Sequence, residues 1–95
     1  MKLNIYSEQI KLHQHLIVLI KRKINKIISI DPNLVNLDLS LKIESPESLN
    51  NKIVEMYIQS SNGGYFAKKK SNTFEESINR VIQAIRKQLL KRKKK

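Results

Sequence analysis

The sequence predicts an α+β domain in which a four-stranded mixed sheet carries two helices on one face. Two amphipathic segments with helical spacing, at residues 16–27 and 74–89, are interspersed with segments in which apolar residues alternate with polar ones. The dipeptide Asn62-Gly63, followed by Gly64, is a strong signal for a hairpin between the last two strands. The predicted order is therefore β-α-β-β-β-α, within a chain of 95 residues that can form one domain with a modest core.

The first strand and the first helix are predicted from the first third of the chain. Leu3 and Ile5 alternate with polar neighbours, which is typical of a short strand. The β-branched run at residues 16–20 would also suit a buried strand, but the helical stripe continues to residue 27, and its length favours a helix. Asp31-Pro32-Asn33 should end this helix because proline cannot continue the hydrogen-bond ladder. The stripe consists of Leu16, Leu19, Ile20, Ile24 and Ile27.

Residues 35–44 form the clearest strand pattern, with Val35 and every second residue through Ile43 apolar and the intervening residues polar. A polar face must meet water, so we expect helices to cover only the other face of the sheet. A polar loop at residues 45–51 precedes a third alternating segment that ends at Ser60. A fourth strand, from Tyr65 to about Lys70, ends in three successive lysines.

The last helix has two opposite faces. Thr73 is positioned to cap its start, and Glu76, three residues on, could reach back to complete a capping box. Beyond Lys91 the run of basic residues would rotate charge onto the apolar face, so we expect a domain at residues 1–91 and a frayed basic tail at residues 92–95. The buried stripe is predicted to contain Phe74, Ile78, Val81, Ile82, Ile85 and Leu89, and the opposite face Arg80, Lys87 and Lys91.

The charge of the chain indicates a polyanionic partner. The sequence contains 19 Lys and Arg residues and eight Asp and Glu residues, which gives a formal net charge of +11 and a pI of about 10.1. Cations gathered on one helix face favour nucleic acid over an anionic membrane. The sequence has no cysteine, no apolar N-terminal segment and no apolar run of the ~20 residues that a membrane span needs, so we expect a soluble cytoplasmic protein without disulfides.

The sequence offers no catalytic, cofactor or metal constellation. His13 and His15 are two apart, which would point them to different sides of a helix, and no cysteine or acidic cluster accompanies them. The carboxylates do not form a paired acid and base, and no Gly-Lys-Ser/Thr follows the glycine turn. The aromatic residues Tyr57, Tyr65 and Phe66 could stack bases, but on strands such residues more often pack in the core or at an edge.

The order of elements and several segments resemble the bacterial ribosome hibernation-promoting factor and ribosome-associated inhibitor family. The resembling segments are residues 39–44, LSLKIE, residues 23–27, KINKI, and the last-helix segments SIN at residues 77–79 and KQL at residues 87–89. The resemblance implies binding to the small ribosomal subunit between its head and body, contact with ribosomal RNA through both helices, and blockage of the tRNA and mRNA sites in starved cells. It also implies that Lys23, Lys26 and Lys87 contact RNA.

The chain departs from that family at Glu75, where an aromatic residue is usual, and at Ala84, near which a lysine is usual. We expect a short form that lacks the second domain of the long members, is a monomer off the ribosome, and has no small-molecule substrate, cofactor or metal. The candidate RNA-binding residues are Arg22, Lys23, Lys26, Lys68, Lys70, Arg80, Arg86, Lys87 and Lys91.

Two alternatives remain open. A general double-stranded-RNA-binding module shares the α-β-β-β-α arrangement and a nearby lysine cluster, but it has no preceding strand and places its lysines at the helix N-terminus, where this chain has Glu75 and Glu76. A small enzyme would require a nucleophile, base or metal set that the sequence does not offer.

Overall fold

Six secondary-structure elements follow one another in the predicted order. A computed structural model describes residues 1–8, 10–61 and 63–93. The elements are β1 (Lys2–Ser7), α1 (Gln14–Ile30), β2 (Leu34–Ile43), β3 (Lys52–Ser60), β4 (Gly63–Ser71) and α2 (Phe74–Lys93). The β-α-β-β-β-α prediction is confirmed.

The four strands form one mixed sheet with the order β1-β2-β3-β4. β1 runs parallel to β2, which requires the crossover that α1 supplies, whereas β2, β3 and β4 are successive antiparallel neighbours. Both helices lie on the same face of this sheet and contact each other.

The core lies between the two helices and the inward-facing residues of the sheet. Leu37, Leu39 and Leu41 of β2 are buried as the alternation predicts, and so are Val54, Met56 and Ile58 of β3. The helical stripes supply the rest, since Ile20, Ile24 and Ile27 of α1 and Ile78, Val81 and Ile85 of α2 are buried in the same cluster. The opposite face of β2 carries the polar residues Asn36, Asp38, Ser40 and Lys42, as expected for a sheet covered on one side.

The start of β2 differs from the prediction. Val35, expected on the buried face, is 55% exposed, whereas the preceding Leu34 is buried. An irregularity in the pairing with β3 between Leu34 and Asn36 inserts one extra residue and turns Val35 outward. The strand also ends at Ile43, one residue earlier than predicted.

The β3–β4 hairpin is present, but its turn is one residue earlier than the glycine signal suggested. Ser60 pairs with Gly63, so Gly63 is the first residue of β4 and not part of the turn. Gly63 has φ 130°, a conformation that side-chain-bearing residues rarely adopt. Asn62, the other half of the predicted turn, lies outside the described residues.

The start of α2 confirms the predicted cap and corrects the predicted capping box. The Glu76 backbone N–H donates to Thr73 Oγ1 at 3.1 Å, so Thr73 is the cap. The second predicted hydrogen bond of the box, from the Thr73 backbone N–H to the Glu76 carboxylate, is wrong. The Thr73 N–H donates to Ser71 Oγ instead, and the Glu76 carboxylate accepts from Arg80 at 2.6 Å. A guanidinium one turn away is the stronger partner for that carboxylate.

The end of α2 extends further than the sequence pattern suggested. The helix continues to Lys93, and the guanidinium of Arg92, expected in a frayed tail, lies 4.8 Å from the centre of the Tyr65 ring. This cation–π contact explains how a charged residue can be accommodated at a position facing the sheet. Lys94 and Lys95, the remainder of the predicted tail, lie outside the described residues.

Candidate nucleic-acid interface

The two helices form a cationic groove where they meet. Each helix turns one flank toward the other, so residues at the edge of each buried stripe line the space between them. From α1, Lys23 is partly buried at the edge of the stripe and Lys26 is exposed, and Arg86 of α2 faces them. The full lining is Lys23, Lys26, Asn79, Ile82, Gln83 and Arg86.

Asn79 gives this groove an unusual polar atom. Its side-chain oxygen Oδ1 is buried and forms no hydrogen bond with any of the described residues. A buried acceptor without a partner costs about 1–3 kcal/mol, so such atoms are uncommon in folded proteins. The groove therefore combines cationic rims with an unused acceptor below them.

A second cationic depression lies on the other flank of α2, against β4. Its lining consists of Lys69, Arg80, Gln83, Ala84 and Lys87. Gln83 lines this depression as well as the interhelical groove, so the two are continuous across the outer surface of α2.

The cations of these two depressions are mostly free of internal ion pairs. Within the described part of the chain, Lys23, Lys26, Lys69, Arg86 and Lys87 have no carboxylate within salt-bridge distance. Arg80 is the exception, since its guanidinium Nη2 lies 2.6 Å from Glu76 Oε1. Unpaired cations can neutralise phosphates without breaking an internal interaction, which suits this surface to a polyanion.

Lys68 and Lys70, two of the predicted contacts, lie on the opposite face of the sheet. Lys68 Nζ is 3.6 Å from Glu55, and Lys70 Nζ is 2.9 Å from Glu44. The hydrogen bond from Lys70 and the charge of Lys70 lower the pKa of the exposed Glu44 carboxylate. Both lysines are thus paired with carboxylates and turned away from the helices.

The structure brings together only some of the predicted site residues. Lys23, Lys26, Arg80, Arg86 and Lys87 line the two depressions beside α2. Arg22 is exposed on α1 outside the groove lining. Lys91 lines a separate depression at the end of α2, together with Gly64, Tyr65, Gln88 and Arg92.

Lys69, which was not among the predicted contacts, also lines the depression against β4. The structure places it on the helix-covered side, because Tyr65, Ala67 and Ser71 are buried and Lys69 shares their parity along β4. Lys69 also pairs with Val54, which is fully buried beneath the helices. Of the three successive lysines, the middle one therefore belongs to the helix-covered side of the sheet.

The two histidines and two of the three aromatic residues are arranged differently from the expectation. His13 immediately precedes α1, so its ring is not constrained by helical spacing and stacks on that of His15 at 5.7 Å. No group of three or more potential metal ligands occurs among the described residues. Tyr65 packs in the core as predicted, whereas Tyr57 and Phe66 pair across β3 and β4 and are about half exposed on the face away from the helices.

No described helix is both long and apolar enough to cross a membrane.

The fold is similar to those of two solved structures. The chain resembles a ribosomal subunit interface protein from Coxiella burnetii over 100% of both chains, with a TM-score of 0.86 and 19% identity. It also resembles the N-terminal domain of Protein Y from Thermus thermophilus, with a TM-score of 0.75 and 10% identity, over 93% of this chain and 91% of that one. No curated protein matches the chain at a significant level.

At these identities the two structures establish the shared fold, and the family follows from the sequence itself. The model of the family described as Sigma 54 modulation protein / S30EA ribosomal protein matches residues 3–95, nearly the whole chain. The chain thus belongs to the Sigma 54 modulation protein / S30EA ribosomal protein family and is a ribosome-associated protein.

Proposed function

We propose that this protein is a ribosome hibernation factor that binds the RNA of the small ribosomal subunit near the tRNA and mRNA sites and inhibits translation under starvation. It acts in the cytoplasm, where the ribosomes are, and it acts by occupancy rather than by catalysis. Family membership supports the ribosome as the partner. The predicted contacts on α1 and α2 are part of this proposal.

One observation carries the proposal: cations from α1, α2 and β4 converge on one surface of the domain without internal counterions. Lys23, Lys26 and Arg86 border the interhelical groove, and Lys69 and Lys87 the adjoining depression. Phosphate neutralisation releases condensed counterions and supplies much of the affinity of a protein for RNA. A net charge of +11 further favours association with a polyanion over association with another basic protein.

The proposed mode of inhibition is occupancy of the ribosome by the bound domain, without a catalytic cycle. A folded cationic domain in the path of tRNA and mRNA excludes them by mass action, so inhibition should saturate near one protein per ribosome and weaken as initiation ligands are raised. No change in the ribosomal RNA is needed.

Two measurements test the proposal. Sedimentation of lysates from growing and starved cells should place the protein with small subunits or whole ribosomes, more so after starvation. Cell-free translation should fall as the protein approaches one copy per ribosome, with the ribosomal RNA intact. Lys26→Glu should weaken both effects, and Lys68→Glu, on the far face of the sheet, is the matched control.

Three outcomes would contradict the proposal. Sedimentation with free RNA only would favour a general double-stranded-RNA-binding module. Inhibition far below one copy per ribosome, together with cleaved or modified RNA, would indicate an enzyme. Tight binding to small subunits without inhibition at several-fold excess would indicate a role in assembly or storage.

A further inference from the structure

The two cationic depressions lie on opposite flanks of the same helix. The interhelical groove has Lys23, Lys26 and Arg86, and the depression against β4 has Lys69 and Lys87 together with the ion-paired Arg80. Gln83 is exposed between them on the outer surface of α2 and lines both. A single phosphodiester strand on one flank would leave the cations of the other flank without a partner.

We propose that α2 lies along the minor groove of a duplex segment of RNA, with one phosphodiester backbone on each flank of the helix. Lys23, Lys26 and Arg86 neutralise one backbone, and Lys69 and Lys87 neutralise the other. Gln83 contacts the ribose 2′-hydroxyl groups between them. The inference rests on the proposed function, in which that duplex is part of the ribosomal RNA of the small subunit.

The dimensions of an α-helix select the groove. An α-helix with its side chains is about 10–12 Å wide. The major groove of A-form RNA is deep and narrow and does not admit side chains, whereas its minor groove is wide, shallow and lined by 2′-hydroxyls. α2 has cations on both flanks and the uncharged amide of Gln83 on the outer surface between them, here called the crest. This arrangement is complementary to such a groove.

The chemistry of the crest supports RNA as the nucleic acid. The Gln83 amide can donate and accept hydrogen bonds, and so can a 2′-hydroxyl group. No acidic residue lines either depression among the described residues, although Glu76 lies beside Arg80 and limits the charge at that end. The unpaired charge is therefore concentrated on both sides of Gln83, with Lys69 and Lys87 on one side and Lys26 and Arg86 on the other.

The aromatic residues argue against a single strand on this surface. Proteins that bind single-stranded RNA usually stack bases on aromatic side chains. In the part of the chain that the structure describes, neither depression is lined by an aromatic residue, and the exposed Tyr57 and Phe66 lie on the opposite face of the sheet. Backbone contact with a duplex fits this composition better than base stacking does.

The three successive lysines of β4 provide a matched test. Lys69→Gln should lower the slope of log affinity against log salt concentration for small subunits by about one, since one phosphate contact is lost. Lys68→Gln and Lys70→Gln remove the same charge from the far face and should leave the slope unchanged. Lys69→Arg should retain the wild-type slope, which separates the role of charge from any effect on folding.

The outcomes distinguish this inference from the proposed function. If Lys26→Gln lowers the slope while Lys69→Gln behaves like Lys68→Gln, only one backbone is bound and the inference is wrong, although the proposed function stands. If the wild-type protein does not bind small subunits at all, the proposed function itself fails. Gln83→Leu should weaken binding without changing the slope, and unchanged affinity would refute the contact to 2′-hydroxyls.

The absence of cysteine from the sequence allows a direct test of the duplex. Single-cysteine variants Lys26→Cys and Lys69→Cys, each carrying a tethered hydroxyl-radical source, should cleave opposite strands of one ribosomal RNA helix when bound to small subunits at low salt. Lys68→Cys, on the far face, should not cleave that helix. Cleavage from positions 26 and 69 on the same strand, on unpaired RNA or on separate helices would overturn the inference.

Discussion

Salt dependence gives the most quantitative test of the cationic surface. The perturbation is an increase in monovalent salt from ~50 to ~200 mM during binding to small ribosomal subunits. The two depressions beside α2 contain Lys23, Lys26, Arg86, Lys69, Arg80 and Lys87. If each neutralises one phosphate, the expected slope of log affinity against log salt is about −5, which corresponds to roughly a thousandfold loss over this range.

The expected slope depends on whether Arg80 neutralises a phosphate. Its guanidinium is already paired with Glu76 at 2.6 Å, so part of its charge is offset before RNA binds. Without Arg80 the slope should be about −4, and the loss roughly two to three orders of magnitude. Glu76→Gln should free Arg80 and make the slope steeper by up to about one.

Filter binding at several salt concentrations measures the slope, with Lys87→Gln as the test and Lys68→Gln as the control. Lys87→Gln should reduce the slope by about one, whereas Lys68, which is paired with Glu55 on the far face, should have no effect when replaced. A flat dependence for the wild-type protein would refute the reasoning, because binding would then rest on apolar or protein–protein contacts.

Three further predictions concern stability and ionisation. Ile85→Ala should destabilise the fold by about 2–5 kcal/mol because Ile85 is fully buried. Lys87→Glu, two residues along on the exposed side of α2, should change the free energy of unfolding by less than ~0.5 kcal/mol; chemical denaturation of both variants measures the difference, and an unfolded Lys87→Glu would contradict the assignment of that face. Thr73→Ala should cost about 1 kcal/mol through loss of the helix cap, and Thr73→Ser should recover most of it in the same assay. Lys70→Gln should raise the pKa of Glu44 toward its ordinary value, which NMR titration can follow; an unchanged Glu44 titration would show that the ion pair does not form in solution. Because Lys70 lowers that pKa in the folded state, the pair stabilises the fold above the unfolded-state pKa, and this effect is lost as pH falls through the folded-state pKa.

The sequence by itself determined the order and type of the elements because hydrophobic periodicity is a local property. Apolar residues at three- and four-residue spacing identified both helices, and alternation identified β2 and β3 with their buried faces. The cap at Thr73 was also predictable, since it depends on residues within one turn. These features follow from short-range geometry and need no knowledge of distant contacts.

Local patterns failed where a distant or competing partner decides the geometry. The outward turn of Val35 depends on the pairing of β2 with β3, which inserts an extra residue. The Glu76 carboxylate has two local partners within reach, and the charged guanidinium of Arg80 prevails over the backbone N–H of Thr73. Arg92, expected in the tail, is part of α2 and lies against the ring of Tyr65, which is far away in sequence.

The composition of the cationic surface was decided by the tertiary structure. In the sequence, Lys68, Lys69 and Lys70 are equivalent lysines, and net charge treats them alike. The register of β4 against β3 pairs Lys69 with the buried Val54 and so places it on the helix side, while its neighbours face Glu55 and Glu44 on the other. Because successive strand residues point to opposite faces, a shift of one residue would have exchanged these roles. Charge can thus be counted along the chain, but only the fold determines which charges are already neutralised by an internal ion pair and which remain available to an anionic partner.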